Sequence, residues 1–292
     1  MTKNQRGCLE MKFSISDYSY SAYRKASGCS YEDICRMTKE FGFDGIELTS
    51  LQAKDGDKKA LAKEIKAFCD ELSLPIVSYT VAANFLSDDP AETERAICEE
   101  IDIAVLLGAP VLRHDAAFAL KNIAGYTWKE GIADMAPYIR RVAAYAESRG
   151  VRTCSENHGY VYQDPERVLA LIEAVGHKNY GWLFDVGNFS VVDRNATEAL
   201  AYALPHIFHV HVKDMILKSG KNVMPDGFHL SRGGNYWRGT VLGHGDIPVA
   251  ETLRALRFAG YDGFASLEFE GCEDNLFAVK AGLAYMKRCL AE

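Results

Sequence analysis

The chain has 292 residues, 48% of them hydrophobic, with 40 acidic against 33 basic side chains and a formal charge of −7, for an isoelectric point near 5.7. This balance supplies no global basic field and so argues against nucleic acid or an anionic membrane surface as a partner. The dispersed charges and apolar content exclude a disordered chain, and the length suits one barrel of roughly 250 residues with elaborated loops.

Residues 1–10 read as a flexible N-terminal extension, and 11–292 as a single domain. Met1–Gly7 lacks the apolar centre of a secretion signal, and no later run reaches the roughly 18 apolar residues of a membrane helix. A cytoplasmic location is the expectation. Cys8, Cys29, Cys35, Cys69, Cys98, Cys154, Cys272 and Cys289 form no C-x-x-C pair or compact framework, which is the pattern of reduced thiols.

Eight β-rich runs alternate with amphipathic helical patterns. The strands are expected at 11–17, 44–49, 75–81, 110–114, 151–157, 180–186, 206–213 and 263–269, which makes the fold an α/β single (β/α)8 TIM barrel. Asp89-Pro90 and Asp164-Pro165 each pair an N-cap with proline at the first helical position, and Thr127 with Glu130 fits a capping box. Leu61, Ile65, Phe68 and Leu72 recur at helical spacing and predict one core-facing stripe. After the seventh strand the alternation breaks. Residues 214–248 are too long and glycine-rich for a routine connection, and loops of that kind are often lids or binding loops.

Glu156, Asp185, His211 and Glu268 stand at the ends of the fifth to eighth strands. They are separated by 29, 26 and 57 residues, or one strand-helix-strand repeat, a second, and a third enlarged by the long loop. Strand ends converge at the mouth of such a barrel. Three carboxylates and an imidazole there predict one divalent cation. Hard oxygen donors with one nitrogen favour Mn2+, with Mg2+, Co2+ or Zn2+ as alternatives.

Around the quartet, His158 is a candidate acid or base provided the backbone stays extended beyond Glu156. His209, His211 and Lys213 share one strand face. His209 is expected deeper, in a buried hydrogen bond, and Lys213 either contacts substrate oxygen or pairs with Asp214. Glu47, Tyr79, Arg113 and His114 fall where a barrel rim would expose them, as groups that orient substrate hydroxyls. In the long loop, Phe228, His229, Arg232, Tyr236, Trp237 and Arg238 offer apolar faces and guanidinium forks for a sugar or an aromatic aglycone. The same residues suit a subunit interface, which leaves a homo-oligomer or a partner subunit open.

Four segments resemble the xylose-isomerase-like barrel superfamily, in particular its sugar phosphate isomerase/epimerase branch: Glu-Asn-His-Gly at 156–159, Phe-Asp-Val-Gly-Asn at 184–188, His-Val-His-Val-Lys-Asp at 209–214 and Gly-Tyr-Asp-Gly-Phe-Ala-Ser-Leu-Glu-Phe-Glu at 260–270. The resemblance covers nearly the whole chain and assigns Glu156, Asp185, His211 and Glu268 to the four metal positions. It also implies proton exchange by Glu156 and Glu268 on opposite faces of a sugar carbon, as in ketose 3-epimerases. Those enzymes commonly place a histidine three residues after the strand-six aspartate, where this chain has Asn188. The resulting expectation is a metal-dependent isomerase or epimerase of a small carbohydrate or polyhydroxy carbonyl compound, working through an enediolate. A lyase acting on an inosose or a 3-oxo-glycoside is the alternative. A phosphodiesterase and a noncatalytic sugar-binding protein rank lower.

Overall fold

The computed structural model describes residues 11–53 and 56–291; the extension expected at 1–10 lies outside the described residues. Eight parallel strands close into a barrel: β1 (Lys12–Ser16), β2 (Gly45–Thr49), β3 (Ile76–Val81), β4 (Val111–His114), β5 (Arg152–Glu156), β6 (Tyr180–Asp185), β7 (Ile207–Val212) and, after an insertion, β11 (Phe264–Leu267). Pairing of Lys12 with Phe264 through Ile15 with Leu267 makes the closing seam. Each expected strand overlaps its counterpart, and β4 and the last are the shortest at four residues each. The last ends at Leu267, although the Glu268 N–H still donates to Val212 O at 3.0 Å.

Helices α1 (Ser21–Ser27) and α2 (Tyr31–Phe41) follow β1. They are succeeded by α3 (Lys58–Glu71), α4 (Pro90–Leu107), α5 (Trp128–Ser148), α6 (Pro165–Val175), α7 (Ala196–Ala203), α8 (Val249–Phe258) and α9 (Asn275–Ala291). The main core lies between this helical layer and the barrel, with Trp182, Tyr20, Tyr79 and Phe184 among its largest buried side chains. The start signals act as expected at α4, where Asp89 accepts from the Glu92 N–H at 2.9 Å, and at α5, where the Thr127 N–H donates to Glu130 Oε2 at 2.5 Å. At α6 the proline is in place but Asp164 makes no cap hydrogen bond, because its carboxylate is drawn away by Arg232. In α3 the buried stripe is Ala62, Ile65 and Cys69. Leu61, Phe68 and Leu72 flank it, so the stripe sits one residue round from its expected centre line.

The segment after β7 carries a sheet of its own. Strands β8 (Asp214–Lys218), β9 (His229–Leu230) and β10 (Tyr236–Thr240) form an antiparallel sheet in the order β8-β10-β9, with Trp237 opposite Leu217 and His229. Asp214 draws its two ends together. Its carboxylate accepts the backbone N–H groups of Met215 (2.8 Å), Gly243 (2.8 Å), Gly245 (3.0 Å) and Ile247 (3.1 Å). A Cβ on Gly245 would stand 2.2 Å from Asp214 Oδ1, so only glycine allows this approach. The far end is tied to the barrel loops. Arg232 pairs with Asp164 and donates to Tyr160 O at 2.7 Å, while Asp193 accepts from Ser231 Oγ (2.9 Å) and Asn235 Nδ2 (2.7 Å).

No helix among the described residues is long and apolar enough to cross a membrane, and the seven described cysteines are all free.

Candidate metal centre

Glu156 and Asp185 are the last residues of β5 and β6, His211 is the penultimate residue of β7, and Glu268 immediately follows β11. One ligand atom from each lies within 4.8 Å of the other three. His211 Nδ1 is 3.4 Å from Glu268 Oε1, 3.7 Å from Glu156 Oε1 and 3.8 Å from Asp185 Oδ2. Each member is fixed from outside the cluster. Asp185 Oδ1 accepts the N–H groups of Gly187 and Asn188, both at 2.8 Å. Glu156 Oε1 accepts from Asn188 Nδ2 at 2.7 Å, and its Oε2 lies 2.6 Å from Arg113 Nη2. Glu268 Oε2 is 2.6 Å from Lys213 Nζ.

These anchors leave Asp185 Oδ2 and His211 Nδ1 buried with no hydrogen-bond partner. Lys213 Nζ does stand 3.1 Å from that Asp185 oxygen, as an ion pair outside hydrogen-bond geometry. A buried polar atom left without a partner is costly. Two of them facing one point, together with oxygens from two further carboxylates, make a donor set that fits a divalent cation.

The electrostatics agree. Burial, reinforced by Glu156 and Glu268, pushes the Asp185 carboxyl up to about 7 against the opposing pull of Lys213 and His211. Burial also opposes ionisation of Glu156, but Arg113 and His211 outweigh it and hold that carboxyl well below the ordinary range. Burial disfavours the charged form of His211, yet the surrounding Glu268 and Glu47 carboxylates hold its proton to well above the usual imidazole value. The same anionic field that retains a proton here would attract a cation.

The remaining sequence candidates separate into three groups. Arg113, Asn188 and Lys213 lie at the cluster. Arg113 is braced by Asp115, with Nη2 to Oδ1 at 2.7 Å. Lys213 also reaches Glu270 Oε1 at 2.9 Å, so its partners are Asp185, Glu268 and Glu270 rather than Asp214. It passes Gly187 so closely that a Cβ there would sit 2.4 Å from Lys213 Cγ. His158 lies beside the cluster, but the backbone does not stay extended: the His158 N–H turns back to Glu156 O at 2.9 Å. That turn sends the ring to Asp115, with Nδ1 to Oδ1 at 2.8 Å. Burial disfavours protonated His158, while Asp115 and Glu156 outweigh it and raise its proton affinity.

Glu47, His114 and Tyr79 are not on the rim. Glu47 is wholly buried against His211, with β2 continuing two residues past it to Thr49. His114 follows the inward-facing Arg113 and therefore points to the helices, between Phe85 and Tyr180 at ring-centroid distances of 5.4 and 5.9 Å. Tyr79 likewise turns outward and donates to Glu100 Oε2 at 2.8 Å.

Arg232, Trp237 and Arg238 form the third group, with contacts within the insertion, to its anchors and to the loop after β11. Arg232 pairs with Asp164, Trp237 stacks on His229 with centroids 4.8 Å apart, and Arg238 lies 3.5 Å from Glu273 and over the Phe228 ring. No contact from these residues reaches the quartet. Three other residues that shape the site escaped sequence reasoning. Asp115 joins Arg113 to His158, and Glu270 shares Lys213. Asn157 accepts the Asp185 N–H at 2.9 Å and donates to Asp185 O at 2.9 Å, which locks the end of β6 to that of β5. Asp115 had a signal in its place within Arg-His-Asp at a strand end, and Glu270 in sharing a strand face with Glu268.

The floor under the cluster is divided. Two residues below Arg113, Glu156 and Asp185 on the same strand faces lie Val111, Cys154 and Leu183, a small apolar group separate from the main core. On the other side the floor is polar. His209 Nε2 is 2.9 Å from Ser266 Oγ and 3.0 Å from Glu47 Oε2, and Ser266 Oγ is 2.7 Å from Ser14 Oγ. His209 therefore occupies the deeper, hydrogen-bonded position.

Comparison with known proteins identifies the fold family. An inosose dehydratase from Clostridium perfringens (strain 13 / Type A) is 26% identical over 247 residues, 78% of either chain. A D-psicose 3-epimerase from Enterocloster bolteae is 22% identical over 279 residues, 88% of this chain and 82% of its own. The crystal structure of a probable 3-DHS dehydratase from Bacillus anthracis superposes with a TM-score of 0.75 at 20% identity, covering 95% of this chain and 99% of that one. The family description "Xylose isomerase-like TIM barrel" matches residues 35–289, and with the closed eight-stranded barrel in hand the chain belongs to that family.

Proposed function

We propose that this protein is a divalent-metal-dependent enzyme that moves a carbon-bound proton next to the carbonyl of a small polyhydroxylated substrate, as an isomerase or epimerase. The observation that carries this reading is the pair of partnerless ligand atoms, Asp185 Oδ2 and His211 Nδ1, aimed with Glu156 and Glu268 at one point. Glu156, Asp185, His211 and Glu268 would hold the cation. The oxygen-rich set with one nitrogen favours Mn2+ over Mg2+, Co2+ or Zn2+. When bound, the cation supplies positive charge beside oxygens of the substrate, which eases ionisation of the neighbouring C–H bond.

Glu156 and Glu268 reach the cluster from β5 and from the end of β11, strands separated by β6 and β7 in the barrel. They can meet a substrate carbon from two sides. One carboxylate takes the proton, the C–H electron pair moves toward the carbonyl to give an enediolate, and a proton then returns. Delivery to the opposite face epimerises the carbon, and delivery to the adjacent carbon isomerises the substrate. Lys213, whose ammonium ion is stabilised by Asp185, Glu268 and Glu270 against the cost of burial, and Arg113 supply fixed positive charge around the developing oxyanion. A dehydratase outcome is supported by His158. Held by Asp115 beside Glu156 and with raised proton affinity, it can protonate a departing hydroxyl. The inosose dehydratase relative favours the same outcome.

Incubation of keto sugars and inososes with the Mn2+-loaded protein in deuterated water tests the reading. It should show cation-dependent deuterium incorporation at a carbon next to the carbonyl. Glu156→Gln or Glu268→Gln at matched cation occupancy should slow that exchange by about 100-fold or more. Turnover of a substrate with neither solvent exchange nor a primary isotope effect at such a carbon would exclude the mechanism. Release of water with the exchange would select the dehydratase, and its absence the epimerase or isomerase.

A further inference from the structure

Glu47 is wholly buried at the inward face of β2, and nothing in the reaction just described uses it. Its two oxygens lie 2.9 and 3.0 Å from His211 Nε2. A carboxylate has no hydrogen to give, so Nε2 must be the protonated nitrogen. A neutral imidazole has one N–H, and fixing it at Nε2 leaves the lone pair on Nδ1, the nitrogen that faces Glu156, Asp185 and Glu268. The opposite tautomer would set a lone pair against the Glu47 carboxylate and an N–H against the cation position. We infer that Glu47 is a positioning residue that holds His211 in the cation-binding tautomer and ring orientation, and that His209 and Ser266 in turn hold Glu47 and each other. His209 Nε2 stands 3.0 Å from the second Glu47 oxygen and 2.9 Å from Ser266 Oγ, and Ser14 closes the chain at 2.7 Å. Four strands, β1, β2, β7 and β11, thereby fix one ring.

This inference rests on the proposed cation at the quartet, and its test separates the two. Calorimetric titration with Mn2+ should give one site per chain in the wild type and about 10- to 100-fold weaker binding in Glu47→Gln, with an unchanged circular dichroism spectrum. Nitrogen-15 spectra of His211 in the wild type, metal-free and Zn2+-loaded, should show a protonated Nε2 in both states and a large shift of Nδ1 on loading. That measurement stands even where the variant fails to fold. Equal Mn2+ affinity in a folded Glu47→Gln, or protonation of Nδ1 with coordination through Nε2, would overturn the inference while leaving the proposed function intact. Two cations per chain, one of them lost in Glu47→Gln, would overturn it by making Glu47 a direct ligand. Absence of any cation uptake by the wild type would refute the proposed function itself, and the metal-free nitrogen spectrum, followed to a pH at which the ring has lost its second proton, would still decide the tautomer.

Discussion

The two halves of the barrel floor solve different problems. Beneath Glu156 and Asp185 the strands carry Val111, Cys154 and Leu183, and the carboxylates are aimed from the side and above by Arg113, Asn188 and backbone N–H groups. Beneath His211 they carry Glu47, His209 and Ser266. A carboxylate offers equivalent oxygens and needs only to be pointed. An imidazole has two inequivalent nitrogens, and its chemistry depends on which one bears the proton. The polar groups are spent on the half where a proton position must be chosen, and the other half is left to apolar packing.

Three perturbations rank the two arrangements. Arg113→Met strikes the carboxylate half hardest, because Arg113 is buried between Asp115 and Glu156, and its removal takes from both the charge that most directly offsets their burial. A loss of about 3–5 kcal/mol is expected in denaturant unfolding of the metal-free protein. The Glu156 carboxyl should rise toward the ordinary range, which moves the acid limb of the activity profile to higher pH.

His114, on the outer face of β4, serves as a control outside either floor. Burial depresses its imidazole from 6.5 to about 4, so the fold favours the neutral ring. The associated stability is fully present above pH 6.5 and is lost as pH falls toward 4, a difference of about 3 kcal/mol. His114→Asn keeps a donor for Asp115 O and should flatten that part of the stability profile in pH-dependent melting. A slope unchanged by the substitution would place the acid sensitivity in the cluster instead. Ser266→Ala, in the polar half, removes one hydrogen-bonding hydroxyl and should cost about 1 kcal/mol in the same unfolding assay.

Much of this arrangement was legible in the sequence. The convergence of Glu156, Asp185, His211 and Glu268 follows from strand-end position and repeat spacing, and the deeper place of His209 follows from alternation along β7. Height and parity were harder to read. Glu47 looked like a rim residue because it stands near the end of a strand expected to reach 49; β2 does end there, but the residues beyond Glu47 leave its side chain buried against His211. Arg113 and His114 are neighbours on a strand buried on both faces, where no apolar alternation tells which one turns inward. Asp164 carries an N-cap signature, but a guanidinium from residue 232 claims its oxygens, and a partner 68 positions away leaves no mark in local sequence. The strands of the insertion are short and set among glycines and exposed polar residues, so their pairing with one another could not be read from periodicity.

Asp214 has a consequence for how this barrel can change. By gathering the N–H groups of residues 215, 243, 245 and 247 onto one carboxylate, it brings the start and the end of the insertion to a single point. The strand that leaves the barrel and the chain that returns to it are then spaced by that carboxylate and not by what lies between them. Because closure entropy grows only slowly with the length of the enclosed segment, residues between 216 and 242 can be lengthened, shortened or exchanged while β7 and β11 keep their register. The inserted sheet thus hangs from a constant socket, its length and sequence decoupled from the spacing of β7 and β11.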